Sequence, residues 1–272
     1  MDSALKQRVV TGFILVVCAI LGVLLLPNIW FAVFSLVVII TLGGLEWGKL
    51  VSLSGQARSV FVVSLLGLAL LAFVFAEFRW VIIVSGVLWW AAVLVLLAIY
   101  EQGTELYKAN KWLLRVSAFF VLVPAWLALI TLHEKSPQLV LYLIFLVAIA
   151  DSGAYFTGKA FGKTKLAPEL SPGKTREGAL GGLVGATLWS MLGALYFSLS
   201  SQDFIYFILL SMTVAMLSVA GDLFESLIKR EAGQKDSGTI LPGHGGILDR
   251  VDGLIAALPL FVLGIYWGAV QI

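Results

Sequence analysis

Charged side chains are scarce in this sequence of 272 residues. Only 12% of the residues are Asp, Glu, Lys or Arg, whereas 60% are hydrophobic. Soluble domains carry about 25% charged and about 45–50% apolar residues, so this few charges cannot cover such an apolar chain in water. The composition excludes an ordinary soluble protein and predicts one whose solvent is lipid.

Cysteine and the commonest nucleotide-binding loop are also missing. Cys18 is the single cysteine, which excludes an intrachain disulfide, a thiolate zinc site and an iron–sulfur cluster. The sequence has no G-x-x-x-x-G-K-[ST] motif, so an enzyme built around a P-loop is disfavoured. The chemistry of the chain must therefore come from its few carboxylates, basic side chains and glycines.

Long apolar runs fill most of the chain. A transmembrane helix needs about 20 mainly apolar residues. Nine runs qualify, at roughly 9–26, 29–47, 60–76, 80–99, 112–132, 138–158, 179–199, 203–221 and 251–270. The first is predicted to be a retained helix, because no small-x-small cleavage site follows it. We expect an all-α, polytopic integral membrane protein with about nine transmembrane helices.

The basic residues predict the orientation in the membrane. With the N-terminus in the cytoplasm, every Lys and Arg except Arg79 and Lys135 falls in a cytoplasmic segment, as expected from the excess of basic residues in such loops. The C-terminus then lies outside. Two long inner segments, about 159–178 and 222–250, are rich in Gly, Lys, Asp and Ser, and we expect the active site there.

The chain is predicted to consist of two regions, the second of which contains both polar segments. Residues 1–110 are predicted to form about four spanning helices. Residues 111–272 are predicted to form a catalytic region of about five helices that carries both polar loops. No separate soluble domain and no internal repeat is evident in the sequence.

Asp151 lies at the end of an apolar run, where a carboxylate is costly. An acid at the centre of a spanning helix costs about 2.5–3.5 kcal/mol on insertion scales, so a retained one is a functional candidate. Tyr155 and Lys159 follow at i+4 and i+8, on roughly the same helix face. Asp151 therefore either serves the site or pairs with Lys159 at the membrane surface.

A polar stripe closes the eighth run, and two acids open the ninth. The stripe follows the i, i+3, i+4, i+7 spacing of one helix face and consists of Asp222, Glu225, Ser226 and Lys229. It fits an amphipathic helix end or a site for a metal and phosphates. Asp249 and Asp252 share a face at a helix start, where the helix dipole favours carboxylates. The dipole does not explain both of them together with Asp222 at the same membrane face.

Glycine and basic residues dominate the segment between these two runs. Glycines let backbone N–H groups form concave nests for anions, and Lys229, Arg230 and Lys235 add positive charge. This combination indicates phosphate binding. His244 is either a substrate contact or a solvated loop residue.

The other polar segment precedes the seventh run. Ser171, Lys174 and Thr175 stand before a helix start, as in a phosphate cradle. Thr175 also fits a helix N-cap, with Glu177 in the first turn, and both interpretations can hold together. Glycines at 178, 181, 182 and 185 favour close contact with another helix, within the subunit or in a second copy.

Residues 226–252 resemble the signature of phosphatidate cytidylyltransferases (CDP-diacylglycerol synthases). The matching positions include Ser226, Lys229, Arg230, Lys235, Asp236, Gly238, and the run from Leu241 to Asp252 with Gly245 and Gly246. The segments around Asp151, Asp222 and 171–178 also resemble the family, whereas the first 110 residues match only as generic spanning helices. Arg176 is a departure, because the family pattern favours an aromatic residue there.

The resemblance implies cytidylyl transfer. A phosphate oxygen of phosphatidic acid attacks the α-phosphorus of CTP, and pyrophosphate leaves. The resemblance further implies Mg²⁺ held by Asp222 and Asp249, with a second cation nearby. Such transfers need mainly positioning and charge neutralisation.

The resemblance and the residue patterns together define the expected site. Catalytic roles are expected for Asp222, Asp249, Lys229, Arg230, Lys235, His244 and Arg250. Substrate-binding roles are expected for Ser171, Lys174, Thr175, Glu177, Ser226, Asp151, Tyr155, Gly245, Gly246 and Asp252.

The expected partners are CTP from the cytoplasm and phosphatidic acid from the membrane, with no nucleic acid. The glycine spacing allows a homodimer, and the compact chain is typical of a bacterial inner (plasma) membrane protein. A secondary transporter is the main alternative, although the acids cluster at one face. A CTP-using lipid kinase is a further alternative. A CDP-alcohol phosphotransferase would require D-G-x-x-A-R followed by G-x-x-x-D-x-x-x-D, which the sequence lacks.

Overall fold

A computed structural model describes residues 3–100, 111–241, 243, 245–268 and 270. Within these ranges the chain is almost entirely helical, with one short hairpin. The helices are α1 (Ser3–Leu25), α2 (Asn28–Ser35), a π-helical segment (Leu36–Leu42), α3 (Gly43–Leu50), α4 (Gly55–Val74), α5 (Ala76–Tyr100), α6 (Lys111–Lys135), α7 (Pro137–Phe161), α8 (Arg176–Tyr196), α9 (Ser201–Glu231) and α10 (Leu248–Trp267). The hairpin consists of β1 (Lys165–Ala167) and β2 (Ser171–Thr175).

Each predicted apolar run coincides with a helix. Over the described residues, seven helical runs are long and apolar enough to cross a membrane: Asn28–Leu50, Gly55–Val74, Ala76–Tyr100, Lys111–Lys135, Pro137–Phe161, Arg176–Tyr196 and Ser201–Glu231. The shorter apolar stretch Val10–Leu25 and α10 correspond to the first and ninth runs. The all-α membrane architecture is confirmed, whereas the number of crossings and the orientation of the termini stay predictions.

Helix α6 forms the centre of the bundle. Every residue from Val121 to His133 is buried, and α6 packs against helices from both halves of the chain, including α5, α7 and α10. Pro124 lies within α6 opposite Gly86 of α5, and a Cβ atom on Gly86 would lie 2.5 Å from Cβ of Pro124. The close approach of α5 and α6 therefore depends on glycine at this position.

Helices α7 and α8 also approach each other closely, and at Gly153 and Gly182 there is no room for a side chain. A Cβ atom on Gly182 would lie 2.6 Å from the carbonyl oxygen of Ala150, and one on Gly153 would lie 2.9 Å from that of Gly181. The predicted glycine contact is thus confirmed within the subunit. The homodimer stays a prediction.

The polar segments differ in extent from their prediction. The apolar run was predicted to end at residue 221, and α9 continues through the predicted polar stripe to Glu231, because Leu223, Phe224 and Leu227 keep one face of the helix buried. The polar connection to α10 is correspondingly short, from 232 to 247. The other segment was expected to be a loop, but it contains the antiparallel hairpin, in which Lys165 pairs with Thr175.

Gly182→Val is expected to lower the melting temperature of the detergent-solubilised protein by several degrees, since overpacking costs about 1–3 kcal/mol. Gly67→Val is the matched control: Gly67 lies in α4, and a Cβ there would meet nothing within 4 Å. Both changes replace glycine by valine inside a helix, so they carry the same intrinsic change in helix propensity. Equal shifts in the two variants, measured by thermal unfolding, would contradict the packing role of Gly182.

Candidate active site

Four helix ends and the hairpin surround a polar cavity of about 590 Å³. The C-terminal ends of α7 and α9 meet the N-terminal ends of α8 and α10 here, because consecutive helices run in alternating directions. The predicted site residues that line it are Asp151, Tyr155, Ser171, Lys174, Thr175, Asp222, Asp249, Arg250 and Asp252. Residues that are far apart in sequence are therefore brought into one site, at the helix ends where the sequence placed it.

Asp249 is the most extensively bonded carboxylate in the cavity. Its Oδ1 accepts a hydrogen bond from Nζ of Lys229 at 2.7 Å. Its Oδ2 accepts from the backbone N–H of Ser237 at 2.9 Å and of Gly246 at 2.8 Å, and lies 2.9 Å from Oγ of Ser237. Asp249 thus fastens α9 and the 232–247 segment to the first turn of α10.

Lys174 and Asp222 form a second ion pair across the cavity. Nζ of Lys174 in β2 lies 2.6 Å from Oδ2 of Asp222 in α9, and Oγ of Ser226 lies 3.4 Å from Oδ1 of Asp222. The two side chains are 24% and 37% exposed. A polar substrate in the cavity can therefore reach both members of the pair.

Asp151 stands beside this pair rather than as an isolated membrane acid. It lines the same cavity as Lys174 and Asp222. Nζ of Lys159 instead lies over the Tyr155 ring, 5.9 Å from its centroid. The surroundings of Asp151 favour the interpretation that it serves the site.

The hairpin is fixed to the start of α8 by two side chains that the sequence had singled out. Oγ1 of Thr175 accepts the N–H of Gly178 at 3.1 Å, as an N-cap. The Glu177 carboxylate accepts the N–H of Lys163 and of Thr164 at 3.1 Å. Thr175 is confirmed as the cap. Glu177 binds the backbone of the segment before β1. Its contact with substrate stays a prediction.

Two glycines of the 232–247 segment lie against a carboxylate of the protein itself. Gly245 has φ +82°, in the left-handed region that favours glycine, and a Cβ there would lie 2.6 Å from Oδ2 of Asp249. Gly246 donates its N–H to the same oxygen. The nest of backbone donors predicted from the sequence therefore exists, and Asp249 lies against it.

Three further predicted residues are not among those that line the cavity. Nζ of Lys229 is 2.5 Å from Oε2 of Glu225, in addition to its bond with Asp249. Nε of Arg230 lies 3.5 Å from the carbonyl oxygen of Leu170, at the hairpin. Lys235 is exposed on the segment after α9. His244 lies outside the described residues.

The sequence interpretation missed Glu46. This carboxylate lies in α3, is 4% exposed, and accepts the backbone N–H groups of Ile247 and Leu248 at 3.0 and 2.9 Å. Its signal was available, because an acid inside a predicted span is itself a functional candidate. The first 110 residues resemble the family only as generic spanning helices, so the sequence did not predict a site residue among them.

The donor set fits Mg²⁺. This ion prefers oxygen ligands and is usually held by one or two carboxylates together with waters and substrate phosphates. Asp222 and Asp249 both face the cavity. No group of three or more His, Cys, Asp or Glu side chains is arranged to hold a metal among the described residues. The site therefore fits an ion shared with a substrate better than a closed cage of protein ligands.

Comparisons with known proteins identify relatives that span most of the chain. The model of the cytidylyltransferase family matches residues 6–267. A phosphatidate cytidylyltransferase of Haemophilus influenzae is 35% identical over 281 aligned positions, which cover 94% of this chain and 97% of the relative. One of Pseudomonas aeruginosa is 36% identical over 271 positions, covering 97% and 99%. One of Thermotoga maritima is 45% identical over 116 positions, covering 41% and 43%.

Thr175→Val should destabilise the start of α8 by about 1 kcal/mol, since the N-cap hydrogen bond is lost while the side-chain shape is kept. Thr213→Val is the control: Oγ1 of Thr213 bonds the carbonyl of Leu209 one turn earlier, a contact that contributes little to helix stability. Hydrogen exchange of the first turn of α8 measures the effect. No change in that exchange would refute the capping role.

Proposed function

The chain belongs to the cytidylyltransferase family, and on that premise we propose that it is a phosphatidate cytidylyltransferase. It transfers CMP from CTP to phosphatidic acid and forms CDP-diacylglycerol and pyrophosphate. The observation that carries this proposal is the cavity at the ends of α7, α8, α9 and α10, where acidic and basic side chains meet beside apolar helix surfaces. Such a place can receive a polar nucleotide and a membrane-anchored phosphate together.

The reaction requires positioning more than proton transfer. An oxygen of the phosphatidate phosphate forms a bond to the α-phosphorus of CTP, while the bond to the β-phosphate bridging oxygen breaks and its electron pair leaves with pyrophosphate. The attacking oxygen is already ionised at neutral pH, so no general base is needed. What the protein must supply is alignment and neutralisation of the phosphate charges.

The basic side chains of the cavity are placed for this neutralisation. Lys174 reaches in from β2 and Arg250 from the first turn of α10. Lys229 lies behind Asp249. We assign Lys174 and Arg250 to the phosphates and Lys229 to holding Asp249 in position, with Ser171 and Thr175 near the nucleotide.

Asp222 and Asp249 would hold Mg²⁺. When bound, the ion supplies positive charge that stabilises the phosphate oxygens during transfer. The carboxylates orient it, and Asp151 and Asp252 add negative charge to the same cavity wall. We also propose that a second cation binds close to this Mg²⁺ site.

The lipid substrate would enter from the side. Tyr155 lines the cavity, and Tyr155, Phe156 of α7 and Leu180 of α8 are exposed. In a bilayer these side chains would face the acyl region. The cluster of basic residues at this end supports its placement on the cytoplasmic side. The similar bacterial proteins support an inner-membrane location.

The decisive assay measures CDP-diacylglycerol formation by the purified protein in mixed micelles of phosphatidic acid, with labelled CTP and Mg²⁺. Asp222→Asn and Asp249→Asn should each reduce kcat on the order of 10²-fold or more, as expected when a group that stabilises transition-state charge is removed. Chelation of Mg²⁺ should abolish the activity of the unmodified protein.

Asp203→Asn is the matched control, because Asp203 belongs to α9 as Asp222 does but lies in its first turn, at the opposite end. It should keep wild-type activity. A folded wild-type protein that forms no product would refute the proposed activity. Full activity in the Asp222 and Asp249 variants would instead keep the activity and overturn the metal assignment.

A further inference from the structure

We propose that Glu46 is a positioning residue of the active site, contributed by the N-terminal helices. Its carboxylate holds the start of α10 and, through Ser237, the orientation of Asp249. The kinetic part of this inference rests on the proposed function, whereas its structural part does not. Glu46 lies 191 positions before Ser237, so the contact joins α3 to the segment that precedes α10.

The carboxylate is buried and its contacts are specific. Glu46 is 4% exposed, and Oε1 accepts the N–H of Ile247 at 3.0 Å. Oε2 accepts the N–H of Leu248 at 2.9 Å and lies 3.1 Å from Oγ of Ser237. A buried carboxylate is retained only where its oxygens are bonded, and here both oxygens bind the segment that carries Asp249.

Glu46 supplies a cap that α10 lacks locally. The first N–H groups of a helix have no acceptor within the helix, and the N-cap residue of α10 is Ile247, whose side chain cannot accept a hydrogen bond. A negative charge at this end is also favoured by the helix dipole. Glu46 therefore caps α10 from a distant part of the chain.

Ser237 connects Glu46 to Asp249. Its Oγ lies 3.1 Å from Oε2 of Glu46 and 2.9 Å from Oδ2 of Asp249. A hydroxyl has one hydrogen to donate, so the two carboxylates share it. Movement of Glu46 would release Ser237, whose backbone N–H also bonds Asp249.

Two glycines make room for the Glu46 carboxylate. A Cβ atom on Gly238 would approach Oε1, and one on Gly246 would lie 2.5 Å from Oε2. Both glycines belong to the polar segment whose composition had indicated anion binding. The Glu46 carboxylate of the protein itself is one of the anions that this segment surrounds.

The π-helical segment before α3 contributes to this placement. A π turn contains more residues than an α turn, and such segments often occur at functional sites. Residues 36–42 therefore rotate α3 relative to an uninterrupted α-helix, four residues before Glu46. The rotation helps direct Glu46 toward α10 and Trp47 toward α6, where its Nε1 donates to the carbonyl of Leu114 at 2.8 Å.

Glu46→Gln tests the proposal with nearly unchanged side-chain volume. An amide has one acceptor oxygen, so one backbone N–H group of the α10 start would face an NH₂ group. We expect kcat to fall by about 10- to 100-fold, the usual effect of removing a partner that orients a ligand, with little change in KM for CTP. Glu77→Gln, at an exposed acid of α5, should match the wild type.

Hydrogen exchange provides a readout that does not depend on activity. In Glu46→Gln, peptides covering 232–252 should exchange faster, while those covering α7 and α8 should keep their wild-type rates. Ser237→Ala should lower kcat as well. If Glu46 acts through Ser237, the double variant should lose much less than the product of the two single losses.

Several results would overturn the proposal. One is a kcat for Glu46→Gln within about twofold of the wild type, the usual limit of additivity. Equal acceleration of exchange across the whole bundle would reduce Glu46 to a general packing role. Multiplicative losses in the double variant would remove the route through Ser237. A wild-type protein without activity, combined with local loosening in Glu46→Gln, would refute the proposed function and still support the positioning role.

Discussion

The carboxylate of Asp249 joins three parts of the chain. Lys229 reaches it from α9, while Ser237 and Gly246 donate to it from the connecting segment. The Asp249 and Lys229 side chains are only 7% and 13% exposed, and breaking a buried pair by removing one partner costs about 3–5 kcal/mol. This one side chain therefore binds both the segment before α10, through Ser237 and Gly246, and the end of α9, through Lys229.

A second ion pair, between Lys174 and Asp222, balances charge inside the cavity. Nζ of Lys174 lies 2.6 Å from Oδ2 of Asp222, so each side chain neutralises the charge of the other. Under the proposed function, a nucleotide with its metal replaces both partners at once. The protein thus keeps these two charges paired until a ligand of matching charge arrives.

Much of the fold and site could be predicted from the sequence, because the signals were local. Each apolar run became a helix, Thr175 became a cap, and Asp151, Asp222 and Asp249 reached one cavity. Strands as short as β1 leave no reliable pattern. The role of Glu46 depends on contacts with Ser237, Ile247 and Leu248 that no local pattern shows.

The central claim is that the ends of α7, α8, α9 and α10 form a single site for CTP. A structure of the protein in lipid nanodiscs with Mg²⁺ and a non-hydrolysable CTP analogue tests it most directly. The account predicts the triphosphate between Lys174 and Arg250, with the ion at Asp222 and Asp249. A nucleotide bound elsewhere, for example in the apolar cavity of about 410 Å³ beside Tyr142 and Trp189, would contradict it.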